Sequence, residues 1–321
     1  MKNRNYRSNF LVGFLAVVLA FSLDVNSQKA KTGIDDGQKA SAINSEQLLK
    51  DVKYLSSDQL RGREAGTPDS RIARQHILER FLELRLPSIG RTHLQEFTFT
   101  ARNKKTVEAA NVIGFVKGAK NPKRYIVITA HYDHVGVRRG EIYNGADDNA
   151  SGTAALMAFA KYFKNNPPNN TILFVALDAE EKGLQGARFF VDNLPMKQES
   201  ILLNINMDMI SRSDKNELYT AGLYHYPKFK PHLDAIQNKA KIKLLYGHDR
   251  PELKGNDWTF QSDHGVFHRR KIPFLYFGVE DHKDYHKPSD VFENIQPKFY
   301  VNAVETILMA IKEIDEHYQK Q

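Results

Sequence analysis

The 321-residue chain carries 46 Lys and Arg against 38 Asp and Glu, a net charge of +8, with 41% hydrophobic residues and no cysteine. That length and apolar content suffice for a full core in one large domain or two small ones. Lack of cysteine excludes a disulfide framework, a lipid-modified N-terminal cysteine and thiolate ligands together, so any metal must be held by His, Asp and Glu.

Lys2, Arg4 and Arg7 precede a 14-residue apolar stretch, Phe10–Leu23. It is too short for a spanning helix and reads as a secretory signal, with Val25-Asn26-Ser27 setting cleavage near Ser27–Gln28; an uncleaved membrane anchor is the competing reading. The expectation is an exported, periplasmic or secreted protein with no stable membrane insertion after cleavage. Loss of Lys2, Arg4, Arg7 and Asp24 with residues 1–27 leaves a charge of +6. The remaining Lys and Arg are scattered among acids instead of clustering with aromatics, which argues against a nucleic-acid partner.

Residues 28–42 are polar and aperiodic, and read as a flexible lead-in. From Asn44 to Leu86, Leu48, Leu49, Val52 and Leu55 and then Ile72, Ile77, Leu78, Phe81 and Leu84 recur at helical spacing, around a Gly-rich turn at Gly62–Pro68. Phe97–Ala101 and Ala110–Val116 read as short strands leading into Tyr125–Ala130 (YIVITA). Strand and helix patterns then alternate: a helix from about Ser151 to Phe163, the run Thr171–Leu177, a helix from about Gly183 to Asn193, the runs Ile201–Met207 and Ile272–Val279, and a last amphipathic helix carrying Val301, Val304, Leu308, Ile311 and Ile314. Alternation of this kind predicts an α/β fold, a three-layer αβα sandwich whose mostly parallel central sheet has helices on both faces, with residues 43–321 forming one domain.

Five acidic or histidine islands follow apolar runs: His131-Tyr132-Asp133, Asp147-Asp148, Glu180-Glu181, Asp208 and His286. Ligands of open α/β sheets collect outside the carboxyl ends of the strands, so imidazoles and carboxylates gathered there form a metal-site inventory. His131 and Asp133 point the same way in extended chain, an imidazole with a carboxylate to orient it. Adjacent aspartates between Gly145 and Gly152 exceed what a helix cap requires. Two neighbouring glutamates can divide metal binding from proton transfer. Asp208 ends an apolar strand, where an unpaired carboxylate is expensive.

Taken together, HYDHVG, NGADDNASG, ALDAEEKGLQGARFF, NMDM and YHKPSD resemble the co-catalytic dizinc aminopeptidases, which include bacterial leucyl and secreted aminopeptidases and are related to glutamate carboxypeptidase and the transferrin receptor. The resemblance runs from about Ala110 to the C-terminus. It implies two Zn²⁺ per chain bridged by Asp147, with Glu181 and His286 completing one ion's protein ligands and His131 and Asp208 the other's. It also implies Glu180 as general base, Asp133 orienting His131, and a cis peptide between Asp147 and Asp148. The implied activity is removal of N-terminal residues from peptides with a free N-terminus, through a metal-bridging hydroxide. Two other readings are a mono-zinc glutaminyl cyclase and a non-catalytic binding module. Met209, Phe267 and Tyr285 lie near the motifs as pocket candidates, with core packing preferred for Phe267. Ser262-Asp263-His264 cannot form a nucleophilic relay between sequence neighbours. His134, His225, His232, His248 and His268 read as surface or loop histidines.

Overall fold

The computed structural model describes residues 42–318, so the signal reading of residues 1–27, and the lead-in apart from Ala42, lie outside the described residues. Asn44 starts α1 (Ser45–Leu55) by accepting a hydrogen bond from Gln47 N at 3.0 Å, and the helix buries Leu48, Val52 and Leu55. Thr67 caps α2 (Pro68–Glu83) in the same way, with Pro68 in the first turn, where its missing N–H leaves no bond unmade.

A hairpin follows, β1 (Leu94–Thr100) and β2 (Thr106–Val116), in unbroken antiparallel register from Leu94 opposite Val112 to Thr100 opposite Thr106. β3 (Asn121–His131), β6 (Asn170–Leu177), β7 (Ile201–Met207) and β10 (Phe274–Gly278) form the parallel centre of an eight-stranded sheet. Its order is β1-β2-β6-β3-β7-β10-β8-β9, with β8 at Glu217–Ala221 and β9 at Lys243–Tyr246. β4 (Gly136–Arg138) and β5 (Glu141–Tyr143) make a separate small ribbon.

The three layers are as expected, but the sheet is mixed. β2 runs antiparallel to β6, and β8 antiparallel to β10. A short turn joins β1 to β2, and such a turn permits only antiparallel pairing, whereas parallel neighbours need a long crossover. The β8–β9 edge and the intervening α5 (Lys230–Gln237) were not foreseen from the sequence.

Side chains alternate between the two faces of the central strands. Ile126, Ile128 and Ala130 join an apolar cluster with Phe159 of α3 (Gly152–Asn165) and Ile307 of α7 (Pro297–His317). Val127, Leu173 and Val175 pack oppositely against Phe190 of α4 (Gln185–Asp192) and Phe267 of α6 (His264–Arg269). Covering both faces explains why these strands read as continuous apolar runs.

One buried cation fixes the loops above this sheet. Arg63 is fully buried in the Gly-rich turn between α1 and α2. Its guanidinium donates to the carbonyls of Tyr132 (2.7 Å), Leu55 (3.0 Å), Gly145 (2.7 Å) and Asp148 (3.4 Å), and to that of Asn144. Burial draws its pKa down to about 10, against the carboxylates of Asp148, Asp290, Asp133 and Glu181. A planar fork is required, because an ammonium cannot reach so many separated carbonyls. Arg63→Met is expected to lower the unfolding free energy by about 3–5 kcal/mol, read from urea denaturation, because it orphans buried carbonyls and removes a buried charge. Arg63→Lys should recover less than half of that loss.

Candidate metal centre

The parallel strands β3, β6, β7 and β10 all end at one edge, so the residues just past them share one site. His131 is the last residue of β3 and lies opposite Leu177 of β6; Asp208 directly follows β7. Glu180 and Glu181 lie in the turn between β6 and α4, and His286 in the loop after β10.

His131 is buried, with Nε2 3.3 Å from Asp208 Oδ1 and 3.4 Å from Asp148 Oδ1. Its Nδ1 meets the Asp133 backbone carbonyl at 3.2 Å and the Asp133 carboxylate at 3.6 Å, which fixes the ring from behind. The Asp133 carboxylate also accepts from Glu180 N at 3.0 Å and Glu181 N at 3.3 Å. It therefore holds the turn that carries both glutamates, a task beyond the orienting role expected of it.

The adjacent aspartates part company. Asp148 sends Oδ1 toward His131 and Oδ2 to 3.0 Å from His286 Nε2. Glu181 Oε1 lies 3.4 Å from the same His286 nitrogen. Asp147 turns away: its Oδ1 accepts from Ser211 N (2.6 Å) and Ser211 Oγ (2.8 Å), and its Oδ2 meets His282 Nε2 at 2.9 Å. The place between His131 and His286 that was expected of Asp147 is thus taken by Asp148, and the cis peptide is Asp148–Asn149 instead of Asp147–Asp148. Neighbouring side chains in a loop follow different backbone torsions, and the alternative partners of Asp147, Ser211 and His282, come from distant loops. Asp290 of YHKPSD accepts from Asp147 N (2.9 Å) and Asp148 N (3.1 Å), and Asn149 caps α3 by accepting from Gly152 N at 2.9 Å.

Two groups of ligand atoms lie close enough to share a cation: His131, Asp148 and Asp208, and His134, Asp148 and Glu181. His286 faces the second group. All donors are nitrogen or carboxylate oxygen, a set that suits zinc. Glu181 Oε1 is buried without a hydrogen-bond partner, as an oxygen that awaits a cation would be. Burial pushes the Glu180 carboxyl well above the usual carboxylate range, with Asp263, Asp208 and Glu181 reinforcing the shift and His131 opposing it.

A cavity of about 330 Å³ opens over these groups, lined on its apolar side by Met209, Trp258, Phe260, Tyr276 and Tyr285. Met209 and Tyr285 thus line it as considered, and Phe267 is core, 5.9 Å from Phe190 between ring centres. Trp258 comes from a segment without a motif and escaped sequence reasoning, and Tyr276 lies in the run Ile272–Val279 without having been singled out. Ser262 and His264 form no relay: Ser262 Oγ accepts from Asn206 and His264 Nε2 meets the Trp258 carbonyl at 2.8 Å. His134, read as a surface or loop residue, lies in the loop after β3 but is fully buried there.

Residues 111–311 match peptidase family M28. An aminopeptidase of Bacillus subtilis is 29% identical over 233 residues, covering 69% of this chain and 48% of that protein, so the chain spans about half the length of this relative. The solved zinc aminopeptidase of Bacillus subtilis superposes with a TM-score of 0.68 at 20% identity, covering 88% of this chain and 98% of the other. A glutaminyl cyclase of Bacteroides thetaiotaomicron gives the same TM-score at 16% identity, covering 86% and 99%. At these identities the structural likenesses speak for the shared fold, and the family match over residues 111–311, which hold all five motifs, speaks for lineage: the chain belongs to peptidase family M28.

Proposed function

We propose that this protein is a zinc-dependent aminopeptidase holding two Zn²⁺ per chain, and that it removes N-terminal residues from peptides. The observation that carries this reading is the pair of Asp148 oxygens, one turned to His131 and the other to His286. In this reading Asp148 would serve both ions, with His131 and Asp208 holding one and Glu181 and His286 holding the other. Zinc in these positions supplies positive charge to polarise the scissile carbonyl and lowers the pKa of water toward about 7. Glu180 takes a proton from the attacking water and passes it to the leaving amine nitrogen. Asp133 keeps the His131 ring in register and the Glu180–Glu181 turn in place.

The cavity supports an exopeptidase. At about 330 Å³ it lies at the small end of ligand sites and suits one terminal residue more than a long segment. Of the acids that line it, Glu180 and Asp281 are not ligands in this reading, and against the one lining guanidinium, Arg102, they favour an ammonium terminus over a carboxylate terminus. The signal reading of residues 1–27 adds a periplasmic or extracellular place of action. Among the described residues no helix is long and apolar enough to cross a membrane. The cyclase reading keeps some support from the fold likeness, and metal content separates it, since that reading requires one zinc.

Hydrolysis of an aminoacyl anilide should vanish on chelation and return with Zn²⁺. Glu180→Gln is expected to retain its zinc and lose about 10²–10⁴-fold in kcat; full activity would remove Glu180 from the base role. Asp148→Asn should lose both ions by elemental analysis after gel filtration. Asp147→Asn should keep both ions, with affinity weakened by about 10–100-fold.

A further inference from the structure

His134 has no task in that mechanism, although its setting is unusual. It is fully buried, and neither ring nitrogen has a hydrogen-bond partner. An unpaired polar group in the interior is costly, so a buried orphan imidazole calls for a partner. Its Nδ1 lies 2.9 Å from Glu181 Oε1, which is itself orphaned. The two atoms are in contact without the alignment of a hydrogen bond, as two ligands of one cation would be.

The other separations around this point agree. His134 Nδ1 is 3.7 Å from Asp148 Oδ2, His286 Nε2 is 3.0 Å from the same oxygen, and His286 Nε2 is 3.4 Å from Glu181 Oε1. Metal–ligand bonds of about 2.0–2.1 Å in a tetrahedral zinc site give ligand–ligand edges of about 3.3 Å. The four measured edges straddle that value. The ring centroids of His134 and His286 lie 5.9 Å apart, with His134 fully buried and His286 lining the cavity. The backbone makes room for the buried ring at Gly145. A Cβ there would meet His134 Cγ and Cδ2 at 2.5 Å.

We propose that His134 is a fourth protein ligand of the ion held by Asp148, Glu181 and His286, so that this position is closed by protein donors while the position of His131, Asp148 and Asp208 keeps an open place. The inference rests on the two-metal reading above and deepens it. Zinc sites with four protein ligands are structural, and those with three leave a place for water or substrate. The two positions then differ in kind.

The test is metal binding, independent of turnover. Metal-free protein and its His134→Phe variant are titrated with Zn²⁺ and with Co²⁺, and the visible absorption of the Co²⁺ forms is recorded. Wild-type protein should bind its first Co²⁺ with the intense absorption of a four-coordinate ion. His134→Phe should weaken that first event by more than about 100-fold, beyond the 10–100-fold typical of a residue that only orients a ligand, and should replace the intense band by a weak one. Where Phe is not accommodated, as judged by circular dichroism of the metal-free protein, His134→Ala is read in the same way. An unchanged Co²⁺ spectrum in the variant would overturn the assignment. Failure of the peptidase reading looks different: wild-type protein would bind two ions with the expected spectrum and cleave no aminoacyl anilide.

Discussion

A buried guanidinium beneath a ring of carboxylates is the constraint on which the site depends. Arg63 donates to carbonyls of the loop after β3 and of the loop before α3, the two segments that carry His131, Asp133, His134 and Asp148. Those loops would otherwise bring several carboxylates together in a region of low dielectric, where like charges repel strongly. The cation lies where its field reaches Asp148, Asp290, Asp133 and Glu181, so it offsets part of that repulsion while its five donors set the loop geometry.

Around this anchor the acidic residues divide into two working groups. Asp133, Asp147 and Asp290 spend their oxygens on backbone N–H groups and neighbouring side chains, and so hold the loops. Asp148, Glu181 and Asp208 leave oxygens directed at imidazole nitrogens. A carboxylate saturated by N–H donors has little left to offer a cation, whereas one facing only imidazoles is a ligand in waiting. The supporting carboxylates therefore make the binding carboxylates available. This partition gives the predicted difference between substitutions at Asp147 and Asp148 its physical basis.

Much of this was legible before any coordinates. The apolar runs at Tyr125–Ala130, Thr171–Leu177 and Ile201–Met207 became central parallel strands because both sheet faces are covered. Other features left no local trace. β8, α5 and β9 form short edge elements whose apolar positions are few. Trp258 reaches the cavity from a segment that carries no motif, and Tyr276 from a strand whose apolar pattern shows burial but not which side chain faces the cavity. The spacing of His131 and His134 within HYDH was visible, but a histidine in a loop carries no sign of its burial.

By itself the sequence determined the chemistry available: nitrogen and carboxylate donors without thiolates, placed after strands whose apolar pattern commits them to a common sheet. That much follows from residue type and periodicity, which are local properties. The tertiary structure decided which of two adjacent aspartates faces both His131 and His286, that Arg63 ties the site loops, and that His134 is buried beside Asp148 and Glu181. Those outcomes turn on side-chain direction in loops, and direction there is set by partners distant in the chain. Ser211 and His282 capture Asp147, and Asp290 grips the backbone of both aspartates. No reading of neighbouring residues could choose between two identical carboxylates when the choice is made by groups more than sixty residues away.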